Sequence, residues 1–178
     1  MSELKLKRSS AALEALSADG PHPDYADELM VFGQLVGEWE VEGVEYSGDG
    51  ASRRFSGEWH FDWVLDGRGI QDVLISPARK DRGEGEPFYT YGTSLRYFDP
   101  RLDAWRVVWA DPVTGNFSVL TATQVGDEIV IEGTTDDGRP KRWIWSELTP
   151  TSARWRDEAS SDGGATWRMR EEMRLRRL

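Results

Sequence analysis

The chain has 178 residues, with 32 acidic against 22 basic side chains and a formal net charge of −10. That length suits one domain with a sizeable core, and the acidic balance argues against nucleic acid and anionic membrane surfaces, which both select for basic faces. There is no cysteine, which removes disulfides, thiolate metal sites and cysteine nucleophiles and suits a reducing cytoplasm.

Residues 1–24 read as a peripheral segment. Leu4 to Leu16 has the pattern of a weak helix, broken by Asp19-Gly20-Pro21-His22-Pro23. The start is basic but lacks the apolar stretch of a signal peptide, and no apolar run is long enough to span a bilayer. Residues 25–178 read as one domain. A short helix is predicted from Asp24 to Val36, because Leu29, Phe32, Leu35 and Val36 recur at spacings of three and four.

Strand patterns follow without interruption. Glu38–Tyr46 is the first and Arg54–Leu65 the second, where Phe55, Trp59, Phe61 and Trp63 alternate with charged residues. Ile70–Ser76, Phe88–Phe98, Ala104–Ala110, Asn116–Gln124, Glu128–Thr134, Arg139–Leu148, Ser152–Ala159 and Ala165–Leu175 complete ten, separated by Gly-, Asp- and Pro-bearing turns. Ten short, consecutive strands predict an all-β antiparallel up-and-down barrel, since closure removes exposed strand edges. In such a closure the last strand borders the first. Arg168, Arg170, Arg174 and Arg176 then meet Glu38, Glu40 and Glu42 with matching alternation. An odd connection with a glycine bulge at Gly163 or Gly164 would put Trp155 and Trp167 on one face.

The helix ending in Leu35-Val36-Gly37-Glu38-Trp39, together with Tyr97-Phe98-Asp99-Pro100, Trp105–Trp109 and the Ser161-Asp162-Gly163-Gly164-Ala165-Thr166-Trp167 hairpin, resembles the calycin superfamily of lipocalins, fatty-acid-binding proteins and nitrobindin-like barrels. Within it, the chain is similar to uncharacterised lipocalin-like bacterial domains. The resemblance covers residues 29–176. It implies that Trp39 caps one end of the barrel and that small-ligand binding is the activity. Nitrobindin-like barrels hold haem through a late histidine, whereas this chain has only His22 and His60, neither of them late. No haem, metal or other cofactor is therefore expected.

A ten-stranded barrel is hard to fill with side chains alone, so an internal cavity is expected. Trp59, Phe61, Trp63, Trp109, Trp145 and Trp155 are the expected walls. Gln71, Tyr91, Thr93 and Thr121 are candidate polar fixtures of the pocket, with Glu147 beside them. Asp157 shares parity with Trp155, and Glu171 with Trp167 and Met173. These two are the candidate catalytic carboxylates, able to form a coupled acid–base pair. The competing reading puts them at the barrel mouth, paired with arginines.

Three functions remain open on the sequence. The first is binding of a small apolar or aromatic molecule. The second is a cofactor-independent enzyme, such as a cyclase or isomerase of a secondary metabolite, using a buried carboxylate. The third is a plugged barrel serving as an interaction module. The expected partner is a small-molecule ligand, with a homodimer compatible with all three.

Overall fold

The computed structural model describes residues 10–178. Ten antiparallel strands close into a barrel in which β1 neighbours β2 on one side and β10 on the other. They are β1 (Gly37–Tyr46), β2 (Ser52–Val64), β3 (Gly69–Ser76), β4 (Thr90–Asp99), β5 (Ala104–Asp111), β6 (Asn116–Val125), β7 (Glu128–Thr134), β8 (Pro140–Ser146), β9 (Ser152–Ala159) and β10 (Arg168–Arg177). The fold class read from the sequence is the one observed.

Before the barrel come two short helices, α1 (Ala11–Leu16) and α2 (Ala26–Gly33), with a 3-10 turn at Pro23–Tyr25. The predicted helix over 24–36 is thus shorter, because Pro23 opens it as a tighter turn and Gln34 ends it. The expected helix over Leu4–Leu16 lies partly outside the described residues. The segment after α1 runs along the β2–β3 turn: Ser17 bridges Val64, and the backbone N–H of His22 donates to Gly67 at 3.0 Å.

Closure follows the predicted charge pattern in part. Glu40 faces Arg176 and Glu42 faces Arg174 across the β1–β10 ladder, and the Arg176 guanidinium bonds the Glu40 carboxylate. Further up the ladder Val44 faces Glu172 and Glu45 faces Glu171, so the arginine strip does not run the full strand.

The final hairpin departs from the expected register. The β9–β10 pairing shifts between Met169 and Glu171. The bulge therefore sits at Arg170 and not at Gly163 or Gly164. It flips the parity of everything before it. Trp167 falls outside the barrel, stacked under the Arg142 guanidinium at 4.1 Å, while Trp155 faces Met173 inside. One extra residue on one strand is what lets Arg170 and Glu171 both line the interior.

The barrel interior has two halves. The half next to α2 is packed solid. Leu29, Phe32 and Leu35 meet Trp39, Phe61, Trp63, Trp105, Val107, Ile131 and Trp145, all buried. Phe32 lies edge-on to Trp105 at 4.8 Å. Trp39 seals this end. Its indole N–H donates to the Leu35 carbonyl at 2.7 Å, and the Arg177 guanidinium lies 4.1 Å over its ring. Arg177 also donates to the carbonyls of Val36 (2.6 Å), Gln34 (2.7 Å) and Pro150 (2.7 Å). It thereby satisfies backbone groups that the end of α2 leaves open. Gly37 is required here, since it adopts φ +130° and a Cβ would meet Arg177 Nη1 at 2.4 Å.

Replacing Trp39 by Phe keeps most of the packing but leaves the buried Leu35 carbonyl without its donor. We expect Trp39→Phe to lower the unfolding free energy by about 1–3 kcal/mol, measured by equilibrium urea denaturation. An unchanged midpoint would show that the indole N–H contributes nothing at this end.

Candidate functional site

The other half of the barrel is open. A cavity of about 320 Å³ enters from the end opposite α2. Its position follows from what the strands place inward. β2 contributes Trp59, β5 Trp109, β8 Trp143 and β9 Trp155, with Leu74 and Met173 between them. These rings form one connected wall: Trp59 to Trp155 is 6.0 Å between centroids, Trp143 to Trp155 is 5.8 Å, and Trp109 to Trp143 is 6.4 Å. β4 makes room for Trp109 by carrying glycine at position 92, where a Cβ would meet the ring at 2.4 Å.

The floor between the two halves is a buried ion pair. Arg96 Nη1 bonds the Asp72 carboxylate, and both side chains are almost wholly inaccessible. Asp72 also accepts the Ser94 backbone N–H at 3.0 Å, and Arg96 Nη2 donates to Ser94 Oγ at 3.3 Å. The guanidinium sits over Phe32 (5.2 Å) and Phe61 (5.5 Å) of the packed half, a cation–π arrangement that helps offset its desolvation. Its Nε–H has no partner.

Two further groups of charge lie above this floor. Asp157 and Glu171 are directly opposite each other on β9 and β10. Arg170 Nη2 donates to Asp157 Oδ2 at 2.5 Å, leaving Oδ1 unpartnered. Burial pushes the Asp157 carboxyl upward in pKa, and Arg170 opposes that. Glu171 is pushed up to about 8, first by burial and then by Asp157 and Glu45, the carboxylates opposite it on its two neighbouring strands. On β8, the strand next to β9, is Lys141, buried, whose Nζ donates to Ser118 Oγ at 2.6 Å and lies 5.0 Å over the Trp143 ring. Burial lowers its pKa, and Asp157 works against that shift.

The structure brings together some of the sequence candidates and separates others. Trp59, Trp109, Trp155, Asp157 and Glu171 line the cavity. Phe61, Trp63 and Trp145 point inward but belong to the packed half. The expectation that Gln71, Tyr91, Thr93 and Thr121 face the pocket is corrected. Gln71 Nε2 donates to Thr93 Oγ1 at 3.0 Å on the outer face, Tyr91 is 40% exposed, and Thr121 is exposed opposite Glu132 and Arg106. Glu147 is likewise outside, bonded to Arg154 at 3.2 Å.

The physical reason is clearest on β4. Its outward residues Tyr91, Leu95 and Tyr97 are more apolar than its inward Gly92, Ser94 and Arg96, so hydrophobic alternation pointed to the wrong face. Ser94 and Arg96 were missed for the same reason, and Asp72 because both faces of β3 are nearly buried. Lys141 and Trp143 carried a usable signal, since both share parity with Trp145. Arg170 carried none, because only the bulge turns it inward.

Neither histidine faces the interior. His60 Nε2 is 3.0 Å from Glu58 Oε2, and His22 is 2.8 Å from an Arg68 nitrogen. Among the described residues no cluster of three or more His, Cys, Asp or Glu side chains is placed to hold a metal ion. No helix among them is long and apolar enough to cross a membrane.

No protein-family model matches the chain, and no curated protein matches it. Solved structures do share the fold. The crystal structure of Rv2717c from M. tuberculosis superposes with a TM-score of 0.61 at 14% identity, covering 89% of this chain and 99% of that one. The S-type phycobiliprotein lyase CPES from Guillardia theta superposes with a TM-score of 0.60 at 10% identity, covering 84% and 91%. What the chain shares with them is a closed antiparallel barrel. At such low identity the likeness is one of fold.

The raised pKa of Glu171 has a signed consequence. In the unfolded chain this carboxyl titrates near its usual value of 4.5, while in the fold it holds its proton to about 8. The native state therefore binds more protons between those values, and stability falls as pH rises through that window. Glu171→Gln should remove the dependence. We expect it to stabilise the protein by about 1–3 kcal/mol above pH 8, allowing for screening at the cavity mouth, and to do little below pH 4.5. Urea denaturation at a series of pH values reads the difference; parallel profiles for both proteins would reject the assignment.

Proposed function

We propose that this protein is a calycin-superfamily barrel that binds a small, flat, largely apolar molecule carrying hydrogen-bond acceptors. The observation that carries this reading is the set of unpartnered polar atoms around a tryptophan-walled cavity. Trp59 Nε1, Arg96 Nε and Arg170 Nε are donors buried without partners. Leaving a buried donor unmade costs about 1–3 kcal/mol each, and a ligand that supplies acceptors recovers that. Flat aromatic bodies suit four indole walls by stacking. Residues 25–178 form the binding unit in this reading.

A second reading is supported by one specific feature, the Asp157–Glu171 pair. Glu171 holds a proton at neutral pH, while at Asp157 the Arg170 guanidinium opposes the upward push of burial, so the two facing carboxyls sit in unequal environments suited to acid and base roles. A ligand with an enolisable or epoxide-like centre would then be a substrate, and the barrel a cofactor-independent isomerase or cyclase.

The experiment is native mass spectrometry of protein purified from its own host, supported by tryptophan fluorescence. A non-covalent mass released on denaturation is expected, and rebinding it should quench the indole emission. Thr90 lines the mouth and is only half-buried, so Thr90→Trp should obstruct the cavity without disturbing the packed half. We expect that variant to weaken binding by about tenfold or more, some 1.4 kcal/mol. Retention of the ligand at full affinity would place binding elsewhere.

A further inference from the structure

We propose that Lys141 is a carbonyl-capturing amine, which holds an aromatic aldehyde or ketone in the cavity as an imine. The inference rests on reading the cavity as a small-molecule site and names the chemical class of its ligand.

Lys141 is unlike the other lysines of the chain. Lys5, Lys7, Lys80 and Lys141 are the full set. Lys5 and Lys7 lie outside the described residues, and Lys80 is exposed and bound to the Glu40 carboxylate. Lys141 is 5% exposed and lines the cavity. Its one hydrogen-bond partner is the neutral hydroxyl of Ser118, at 2.6 Å. Among the described residues no carboxylate closes on it to ion-pair distance. Burying an ammonium without a counter-ion is costly, and the amine escapes that cost by giving up its proton. The direction of its pKa agrees. Every other cation lining the cavity is an arginine, which has no such option because guanidinium does not deprotonate in proteins. Arg96 is held by Asp72 and Arg170 by Asp157, whereas Lys141 makes no ion pair and Asp157 acts on it only from beyond contact.

A desolvated amine in an apolar pocket is a nucleophile, and the remaining parts of an imine site surround it. The Nζ lone pair adds to the carbonyl carbon. The C–O π pair moves to oxygen, which takes up the proton that Nζ gives up, leaving a neutral carbinolamine. The nitrogen lone pair then forms C=N as the hydroxyl leaves. That hydroxyl needs one proton, and Glu171, protonated at neutral pH, lines the same cavity to supply it. One water departs and nothing is oxidised or reduced. The product is an iminium and a Glu171 carboxylate in the same cavity, an opposed pair of charges formed from the unprotonated amine and the carboxylic acid. The Trp143 face at 5.0 Å from Nζ stabilises the cation, and the indole walls hold the aromatic body.

The test treats the wild-type protein with naphthaldehyde and cyanoborohydride, which reduces an imine to a stable secondary amine, and maps the adduct by peptide mass spectrometry. Binding of naphthylmethanol, which has the same ring system and no carbonyl, is measured in parallel by calorimetry. We expect saturable one-to-one labelling at Lys141, with occupancy about tenfold that of Lys80. The label should fall to the Lys80 level in Lys141→Met, with folding checked by circular dichroism. If naphthylmethanol binds but Lys141 is labelled no more than Lys80, the imine is overturned and the binding barrel stands. If neither compound binds, both readings fall.

Discussion

Closure is the constraint from which the rest of this protein follows. An open sheet tolerates local disagreement about which face is buried. A closed barrel does not, because each strand is paired on both sides and inherits its parity from its neighbours. Once β2 commits Trp59, Phe61 and Trp63 to the inside, the pairing carries that choice round through ten strands to Trp39 and Val41 on β1. Strands with a polar inward face have no alternative. That is why Asp72, Ser94 and Arg96 are buried although nothing in their own strands favours it, and why Lys141 follows Trp143 and Trp145 inward.

The chain meets the resulting cost in two ways. In the middle of the barrel it pairs Arg96 with Asp72 and adds serine and backbone hydrogen bonds, leaving the Arg96 Nε–H open. A buried ion pair seldom adds net stability over an apolar substitute, but losing one partner typically costs about 3–5 kcal/mol. The Arg96–Asp72 pair is accordingly better understood as a spacer, which ends the apolar packing above Phe32 and Phe61 and prevents it from filling the barrel. Around the cavity the partnering is incomplete. Trp59, Arg96 and Arg170 each keep a buried N–H without a hydrogen bond. Unsatisfied groups are rare in protein interiors, and three around one cavity is a local concentration of instability facing the space a ligand would take.

The fold was legible in the sequence because its signals are local and repeated. Turn residues recur at regular spacing, and β2 has an apolar face that cannot be read two ways. The same logic located Trp109, Trp155, Asp157 and Glu171 on the inside. It failed where a strand's outer face is the more apolar, as on β4 with Tyr91, Leu95 and Tyr97, and where both faces are nearly buried, as on β3 with Gln71. Thr121 was misplaced on β6 because that strand carries Phe117 and Val119 outward beside Leu120 and Ala122 inward. In each case the deciding information is non-local. Propagating parity from β2 through the strand order would have recovered Asp72 and Arg96. The Arg170 bulge was beyond that, since a single inserted residue leaves no mark on composition.

The joining of the first strand to the last sets the order of events during synthesis. The Glu40–Arg176 contact links residues 136 positions apart, and Arg177 and Leu178 supply the bonds that tie Gln34, Val36 and Glu38 to the closing strand. Until β10 leaves the ribosome, β1 and β9 are both unpaired edges, and Glu171, Arg170 and Met173 are missing from the cavity wall. The protein therefore has no partly competent form: a nascent or C-terminally clipped chain is an open, adhesive sheet exposed to chaperones and proteases. The same adjacency places the two ends of the barrel side by side, so a circular permutant cut at an exposed turn such as Asp136-Asp137-Gly138 would keep every ladder while exchanging which strand arrives last.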